Sequence, residues 1–275
     1  MSTQEQASEL PTARSVAALG PKWQLYKDLV AGVPESAVVR SLCVSPYGAF
    51  VEASCGAGMA MLAYGGSMGC RLMQDVEGMR LRDLAALCVS WHFLEATIGV
   101  AALNAWYSSE PRVEALGVTY DAHDGEDVFH QYRSFIEGKR VAVVGHFPRM
   151  EAVAEFCDLT VLERDPHGDD MPDPGCEYIV AEQDCLFMTG LTLTNKTMPR
   201  LLQLAREGDV PVVVMGPSTV PSPLFFDHGV VCLAGCVCPQ RNVELVRRGV
   251  QRCASVHPAG YGARMMRIER PGWPA

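Results

Sequence analysis

Two rhythms of apolar residues divide the chain. From about residue 123 onward, short unbroken apolar runs alternate with amphipathic stretches. The runs cover residues 140–144, 159–162, 185–188, 210–215 and 230–233, and the helical stretches cover 148–157, 198–207 and 242–248, with a short one near Leu224. Apolar runs without polar alternation, separated by helices, are the pattern of a parallel sheet covered on both faces. Right-handed crossovers wind such a sheet in both directions, so residues 123–275 are predicted to be a Rossmann-like α/β domain. Before the first run, Val128, Phe129, Tyr132, Phe135 and Ile136 lie on one side of a predicted helix over 126–137 that stops at Gly138.

The first part reads as α+β. Residues 23–30 predict a short helix stopped by Gly32 and Pro34. Residues 37–44 and 49–53 predict two strands around the turn Ser45-Pro46-Tyr47-Gly48. A third strand with glycine bends is expected over 56–66. Helices are expected over 80–89 and 91–106, with Ser90 as a cap for the second. In that helix Trp91, Leu94, Ile98, Ala101 and Ala105 recur at helical spacing. Gly99, Ala101 and Ala102 are small enough for another backbone to approach closely. This domain is assigned to residues 21–122, and the polar residues 1–20 to a flexible arm.

Composition narrows the function classes. The 275 residues are 48% hydrophobic, enough to bury the cores of two domains. A formal net charge of −9 argues against holding nucleic acid or an anionic membrane by bulk electrostatics. No apolar stretch reaches the roughly 20 residues of a spanning helix. The first twenty residues, with Gln4, Glu5, Gln6 and Glu9, do not read as a secretory signal. The 11 cysteines are odd in number and scattered, unlike a secreted disulfide framework, and many sit in apolar runs as small hydrophobes. These features predict a cytoplasmic protein without nucleic acid or membrane partners. A homodimer is the commonest assembly for such a chain.

Ligands of open α/β sheets bind beyond the carboxyl ends of the strands. Each predicted strand is followed there by small, polar or ionisable residues. The first leads into Gly145-His146-Phe147-Pro148, with Pro148 suited to a first helical position and the free N–H groups of that helix start able to hold an anion. This turn is not the GxGxxG fingerprint, so a dinucleotide is not indicated. The second strand ends at Glu163, which can grip a ribose, ligate a metal or pair with Arg164. The third leads through Thr189 and Gly190 to Asn195, Lys196 and Thr197. Thr197 or Asn195 can be a helix cap, whereas a lysine at a helix N-terminus meets the unfavourable end of the dipole and calls for a nearby anion. The fourth leads into Gly216, Pro217, Ser218 and Thr219.

Cys232, Cys236 and Cys238 form C-x3-C-x-C after the fifth strand. Positions 236 and 238 share a strand face, so two thiolates can meet one soft metal there, although the spacing matches no standard zinc pattern. His92 lies in an apolar helix and reads as a core residue, whereas His146 occupies a strand-end loop suited to proton or metal handling. Asn104 interrupts an apolar helix face; its amide needs partners, either local backbone or groups across the domain interface.

Together, residues 99–105 (Gly-Val-Ala-Ala-Leu-Asn-Ala), 144–148 (Val-Gly-His-Phe-Pro), 161–164 (Val-Leu-Glu-Arg), 189–197 (Thr-Gly-Leu-Thr-Leu-Thr-Asn-Lys-Thr), 216–219 (Gly-Pro-Ser-Thr) and 233–237 (Leu-Ala-Gly-Cys-Val) resemble the bacterial and archaeal family labelled putative heavy-metal chelation proteins. The resemblance implies an enolase N-terminal-like domain joined to a Rossmann-like domain, with a site between them and a role in handling heavy metals. Leu191 departs from the small or hydroxyl residue usual there, and Pro239-Gln240 from an acidic one. No trio of carboxylates or paired lysine base suggests enolase chemistry. The expected ligand site comprises Asn104, residues 145–148, Thr189, Gly190, residues 195–197 and residues 216–218. Glu163 and His146 are its metal candidates, with Cys236 and Cys238 behind them. No organic cofactor is specified; a heavy or transition metal ion is the candidate. The leading expectation is a protein that binds a metal or a small anionic, metal-chelating ligand. The rivals are an enzyme using a nucleotide or S-adenosyl cofactor and a non-catalytic interaction protein.

Overall fold

The computed structural model describes residues 10–64, 70–72, 75–121, 128–252 and 258–273. Its first part holds the helices α1 (Ala13–Ala17) and α2 (Gln24–Ala31), then three strands, β1 (Val39–Ser45), β2 (Gly48–Ala53) and β3 (Gly56–Met61). These form an antiparallel β1-β2-β3 meander. Helices α3 (Leu81–Ala85), α4 (Phe93–Tyr107) and α5 (Glu110–Ala115) follow, with a 3-10 turn at Ala86–Val89. α4 is apolar around almost its whole circumference and is correspondingly buried, packed on β2 and β3 on one side and residues 86–89 on another. Two glycines make this approach possible. A Cβ on Gly58 would lie 2.2 Å from the Ala105 nitrogen, and one on Gly99 would lie 2.0 Å from the Cys88 nitrogen.

The second part forms one eight-stranded sheet. Its strands are β4 (Thr119–Tyr120), β5 (Arg140–Val144), β6 (Asp158–Glu163), β7 (Met171–Pro172), β8 (Cys185–Thr189), β9 (Val212–Met215), β10 (Val230–Val237) and β11 (Arg264–Glu269). The order is β4-β11-β10-β9-β8-β5-β6-β7, with β5 to β10 parallel and β11 and β4 added antiparallel at one edge. The chain winds from β5 outward to β6 and β7, then returns to place β8 on the other flank of β5. Helices α6 (Val128–Gln131), α7 (Arg133–Ile136), α8 (Met150–Ala154), α9 (Cys176–Ile179), α10 (Leu191–Thr194), α11 (Met198–Glu207) and α12 (Val243–Gln251) accompany the strands.

Alternate residues of the parallel strands enter different cores. Val141, Val143, Phe187, Val213 and Met215 pack with Phe129, Tyr132 and Ile136. Ala142, Val144, Leu186, Met188, Val212 and Val214 face the other way, into a core continuous with that of α2, α3 and α4. The small antiparallel unit and the large sheet are therefore fastened through shared apolar packing.

Several local expectations change. Residues 13–17, assigned to a flexible arm, form α1. Thr12 caps it reciprocally, accepting from the Ser15 N–H at 3.2 Å while Ser15 Oγ accepts from the Thr12 N–H at 2.9 Å. The helix expected over 126–137 is two short helices, α6 and α7; residues 122–127, which hold the proposed domain boundary, lie outside the described residues. So do residues 1–9 of the proposed arm and residues 65–66 of the expected third strand. β11 escapes a search for apolar runs because its buried Met266 and Ile268 alternate with more exposed residues.

Candidate functional site

The sheet reverses its winding between β5 and β8, and the residues expected at the ligand site gather around these carboxyl ends. The loops leave the sheet in a common way. The Gly145 N–H donates to Leu162 O at 2.9 Å, Gly190 to Met215 O at 2.9 Å and Gly216 to Ala234 O at 3.0 Å, so each glycine extends the ladder by one residue. Gly145 and Gly216 then turn at φ values of 103° and 100°, a region that penalises other residues. Thr189 lies beside Gly145, and its Oγ1 accepts from the Leu191 N–H at 3.3 Å.

Beyond that shelf the site residues separate into a buried seam and an exposed rim. Asn104 and Ser218 belong to the seam, each only 2% exposed. Asn104 Nδ2 donates to Met59 O in β3 at 2.9 Å and makes a longer contact of 3.5 Å to Pro217 O, in the loop after β9. Ser218 Oγ accepts from the Met61 N–H at 2.9 Å. The backbone of Gly190 closes tightly on Ser218 and Thr219. These groups pair with main chain across the interface and hold β3, α4 and the sheet loops in register.

The rim lies where the ends of β6 and β8 meet the start of α4. Glu163, at the end of β6, staples its loop: Oε2 accepts from the His146 N–H at 2.7 Å, and Oε1 from Arg164 at 2.6 Å and Asp165 at 3.3 Å. Its expected pairing with the Arg164 side chain is replaced by Arg164 Nε on Asp173 Oδ2 at 3.3 Å. The Arg164 guanidinium also lies 6.0 Å from the Phe93 ring centroid. His146 Nδ1 meets Asp170 Oδ2 at 2.9 Å, with the Asp170 side chain only 5% exposed. Burial raises the Asp170 pKa, but hydrogen bonds from the His167 N–H and His146 outweigh it and hold the carboxyl below its ordinary range.

Lys196 crosses from the loop after α10 to the first domain. Its ammonium donates to Ser90 O and, at 2.7 Å, to Thr194 O. It lies 5.8 Å from the Trp91 ring centroid and 5.9 Å from that of Phe93. Burial lowers its pKa from 10.5 to about 8, against the opposing influence of Cys88 and Glu95. The backbone at Lys196 is left-handed, with φ 70°. Asn195 shapes this corner by accepting from the Thr197 N–H at 3.1 Å and hydroxyl at 2.7 Å. Ser90 continues the network by donating to Glu95 at 2.6 Å, and Arg71 pairs with the same fully buried carboxylate at 2.9 Å. Burial raises the Glu95 pKa, but bonds from Arg71 and Ser90 more than offset that and keep it below its ordinary value.

Three capping expectations are corrected. Pro148 is not the first helical residue: α8 starts at Met150 behind a left-handed Arg149. Thr197 stands at the N-cap of α11 without a side-chain cap bond, because its hydroxyl is turned to Asn195. Ser90 does not cap α4 directly; its hydroxyl accepts from the His92 N–H and donates to Glu95.

The donors proposed for metal do not assemble into a resident metal site. Among the described residues, no group of three or more His, Cys, Asp or Glu side chains can hold an ion. Glu163 is occupied by backbone N–H groups. Cys236 and Cys238 are 4% and 5% exposed and pack with Phe50, Val243 and Tyr261. Burial pushes the Cys236 thiol up to about 12 and Cys238 well above its ordinary value, with the neighbouring Cys236 adding to the latter. Neutral thiols in an apolar setting are poor metal ligands.

Sequence reasoning missed Trp91, Phe93, Glu95, Arg71 and Asp170 as parts of this arrangement. Glu95 had a readable signal, a carboxylate inside a helix otherwise too apolar to face water. A separate cleft of about 370 Å³ lies between α1, α2 and α3. Its Arg82 is spent on Val33 O, Ala31 O and Glu35, and its Arg80 on Asp83. No helix among the described residues is long and apolar enough to cross a membrane.

Known proteins give the arrangement a family context. The family model DUF4213, described as putative heavy-metal chelation, matches residues 26–107. A crystal structure from Desulfitobacterium hafniense DCB-2, a DUF364-family protein of unknown function, is 30% identical, covers 90% of this chain and 99% of its own, and superposes with a TM-score of 0.82. A second protein of unknown function from that family, from Pyrococcus horikoshii, is 21% identical over 90% of this chain and 98% of its own, with a TM-score of 0.72. An uncharacterised protein of Methanocaldococcus jannaschii is 29% identical over 161 residues, which are 56% of this chain and 59% of that relative's length. The family model DUF364, also described as putative heavy-metal chelation, matches residues 127–267, just over half of the chain, which therefore belongs to that family.

Proposed function

We propose that the protein binds a small anionic, metal-chelating ligand at the rim between its two sheets, and that metal arrives already chelated. The observation that carries this reading is Lys196. A half-buried ammonium is led across the domain interface, through a left-handed corner, to 5.8 Å and 5.9 Å from two aromatic ring centroids. Two of its three N–H donors are spent on carbonyls, and among the described residues the third meets no acceptor. An anionic ligand satisfies it and offsets the desolvation of the charge.

The failure of the donor residues to converge supports the second half of the reading. With no protein cage for a bare ion among the described residues, the chelator supplies the coordination and the protein recognises the complex. In this role His146, held by Asp170, moves or accepts a proton at the ligand's edge, and Glu163 keeps the loop that carries it in place. The nucleotide reading placed Glu163 on a ribose, and both of its carboxylate oxygens already accept from backbone N–H groups.

Equilibrium dialysis tests this with a ferric or nickel ion presented bare, as its citrate complex and as its dihydroxybenzoate complex. At least one complex should be retained in preference to the bare ion, and Lys196→Met should weaken retention about tenfold or more, as loss of a charge-assisted hydrogen bond does. Retention of the bare ion at or above that of both complexes, or retention of the complexes unchanged by Lys196→Met, refutes the proposal.

A further inference from the structure

Trp91 is an unusual residue to leave in water. It is 65% exposed, beside a half-buried ammonium and at the meeting point of the two domains. Its ring is nevertheless held in place. It meets Trp23 in a T-shaped contact at 5.9 Å and 76°, and Trp23 packs on Tyr26 at 5.3 Å and 62°. Tyr26, 1% exposed, donates its hydroxyl to Leu193 O at 2.8 Å in α10 of the large sheet's layer. A series of three aromatic rings anchored to the second domain thus presents one indole toward solvent in a fixed orientation.

Two cations with unspent donors share the neighbouring ring, Phe93. Lys196 Nζ is 5.9 Å from its centroid and Arg164 Cζ is 6.0 Å from it. Lys196 has one N–H without an acceptor. Arg164 uses Nε on Asp173, while its terminal nitrogens have no acceptor among the described residues. Glu95, the buried carboxylate nearest this cluster, is already paired with Arg71 and Ser90, and its pull on the Lys196 charge is smaller than the effect of burial.

We propose that the ligand of this rim is a planar aromatic anion, stacked on Trp91 with its acidic oxygens shared by Lys196 and Arg164. This rests on the reading of the rim as a site for an anionic chelator and names the chelator's class: an aromatic ring bearing adjacent ionised oxygens, such as a catechol carboxylate. A flat π-face suits the exposed indole, and coplanar oxygens suit a guanidinium fork and an ammonium placed beside the same ring. An aliphatic polycarboxylate meets the two cations but leaves the Trp91 face in water. A lone phosphate has no ring to offer.

The test uses the full-length protein, with dihydroxybenzoate and citrate as probes, each alone and as its ferric complex, in equilibrium dialysis. The aromatic probe should bind about tenfold or more tightly than citrate, roughly 1.4 kcal/mol. Trp91→Leu should remove that preference without changing citrate binding, and Lys196→Met should weaken both probes. Trp91 is exposed, so its substitution should leave the circular dichroism spectrum and melting temperature close to those of the parent; Trp91→Phe should recover part of the preference. Equal binding of the two probes with no effect of Trp91→Leu overturns the aromatic assignment, while a surviving effect of Lys196→Met keeps the anionic-chelator reading. Binding of neither probe, free or as its complex, overturns both.

Discussion

Lys196→Met should change how stability depends on pH, in a direction set by its burial. The Lys196 pKa falls from 10.5 to about 8 in the folded protein. Between those values the unfolded chain holds a proton that the folded chain has released, so this residue makes stability rise with pH. The sign is opposite to that of a lysine gaining a carboxylate partner. From the two pKa values the gain is about 1.3 kcal/mol between pH 7 and pH 9. Buried thiols act in the other direction. Burial pushes Cys88, Cys232 and Cys236 up to about 12, and Cys157 and Cys176 up to about 11, so the folded state keeps protons that the unfolded state loses above about pH 9. Subtracting the variant from the parent cancels most of that common effect. The difference at one pH mixes relief of a buried charge with loss of the donor to Ser90 O and Thr194 O, each carbonyl costing about 1–3 kcal/mol when left unpaired. The slope with pH is free of that mixture. Urea unfolding at pH 7, 8 and 9 should show the parent gaining about 1.3 kcal/mol relative to Lys196→Met. A difference that stays constant, or shrinks with pH, would mean that the ammonium is not desolvated in the folded state.

Other substitutions separate seam from rim. Gly99→Ala places a Cβ 2.0 Å from the Cys88 nitrogen and 2.6 Å from the Leu87 carbonyl carbon, both backbone. It should cost several kcal/mol, about 3 or more, in urea unfolding, whereas Gly20→Ala, with open space around it, should change little. Asn104→Ala strands Met59 O at the domain seam and should cost about 1–3 kcal/mol while leaving the rim's cations in place; an unchanged midpoint in urea would remove Asn104 from the seam. Glu163→Gln turns one acceptor into a donor against backbone N–H groups and should also cost about 1–3 kcal/mol, with metal retention per folded molecule unchanged. Loss of metal without loss of stability would restore Glu163 as a ligand.

Apolar periodicity was a good guide to the sheet because a strand buried on both faces leaves little room for polar residues. The runs at 140–144, 159–162 and 185–188 fall on β5, β6 and β8, and the helix expected over 198–207 matches α11. The same logic could not reveal β11, whose burial alternates, or β7, two exposed residues that pair with the end of β6. At the site, sequence position predicted which loops meet, since strand ends are fixed by the winding of the sheet. It did not predict what each side chain would bond. Glu163 turns back on its own loop because three backbone N–H groups lie within reach there. Trp91 and Phe93 had been legible only as apolar positions near a helix start, and their relation to Lys196 exists because two segments about a hundred residues apart are brought together by the shared core.

The position of the metal itself tests the central claim most directly. Crystals grown with a ferric dihydroxybenzoate complex would place the iron by anomalous scattering. An iron peak is expected at the rim, coordinated by the chelator, with the ring against Trp91 and the chelator's oxygens facing Lys196 and Arg164. A peak between Cys236 and Cys238, or one ligated directly by Glu163 and His146 without the chelator, would contradict that claim.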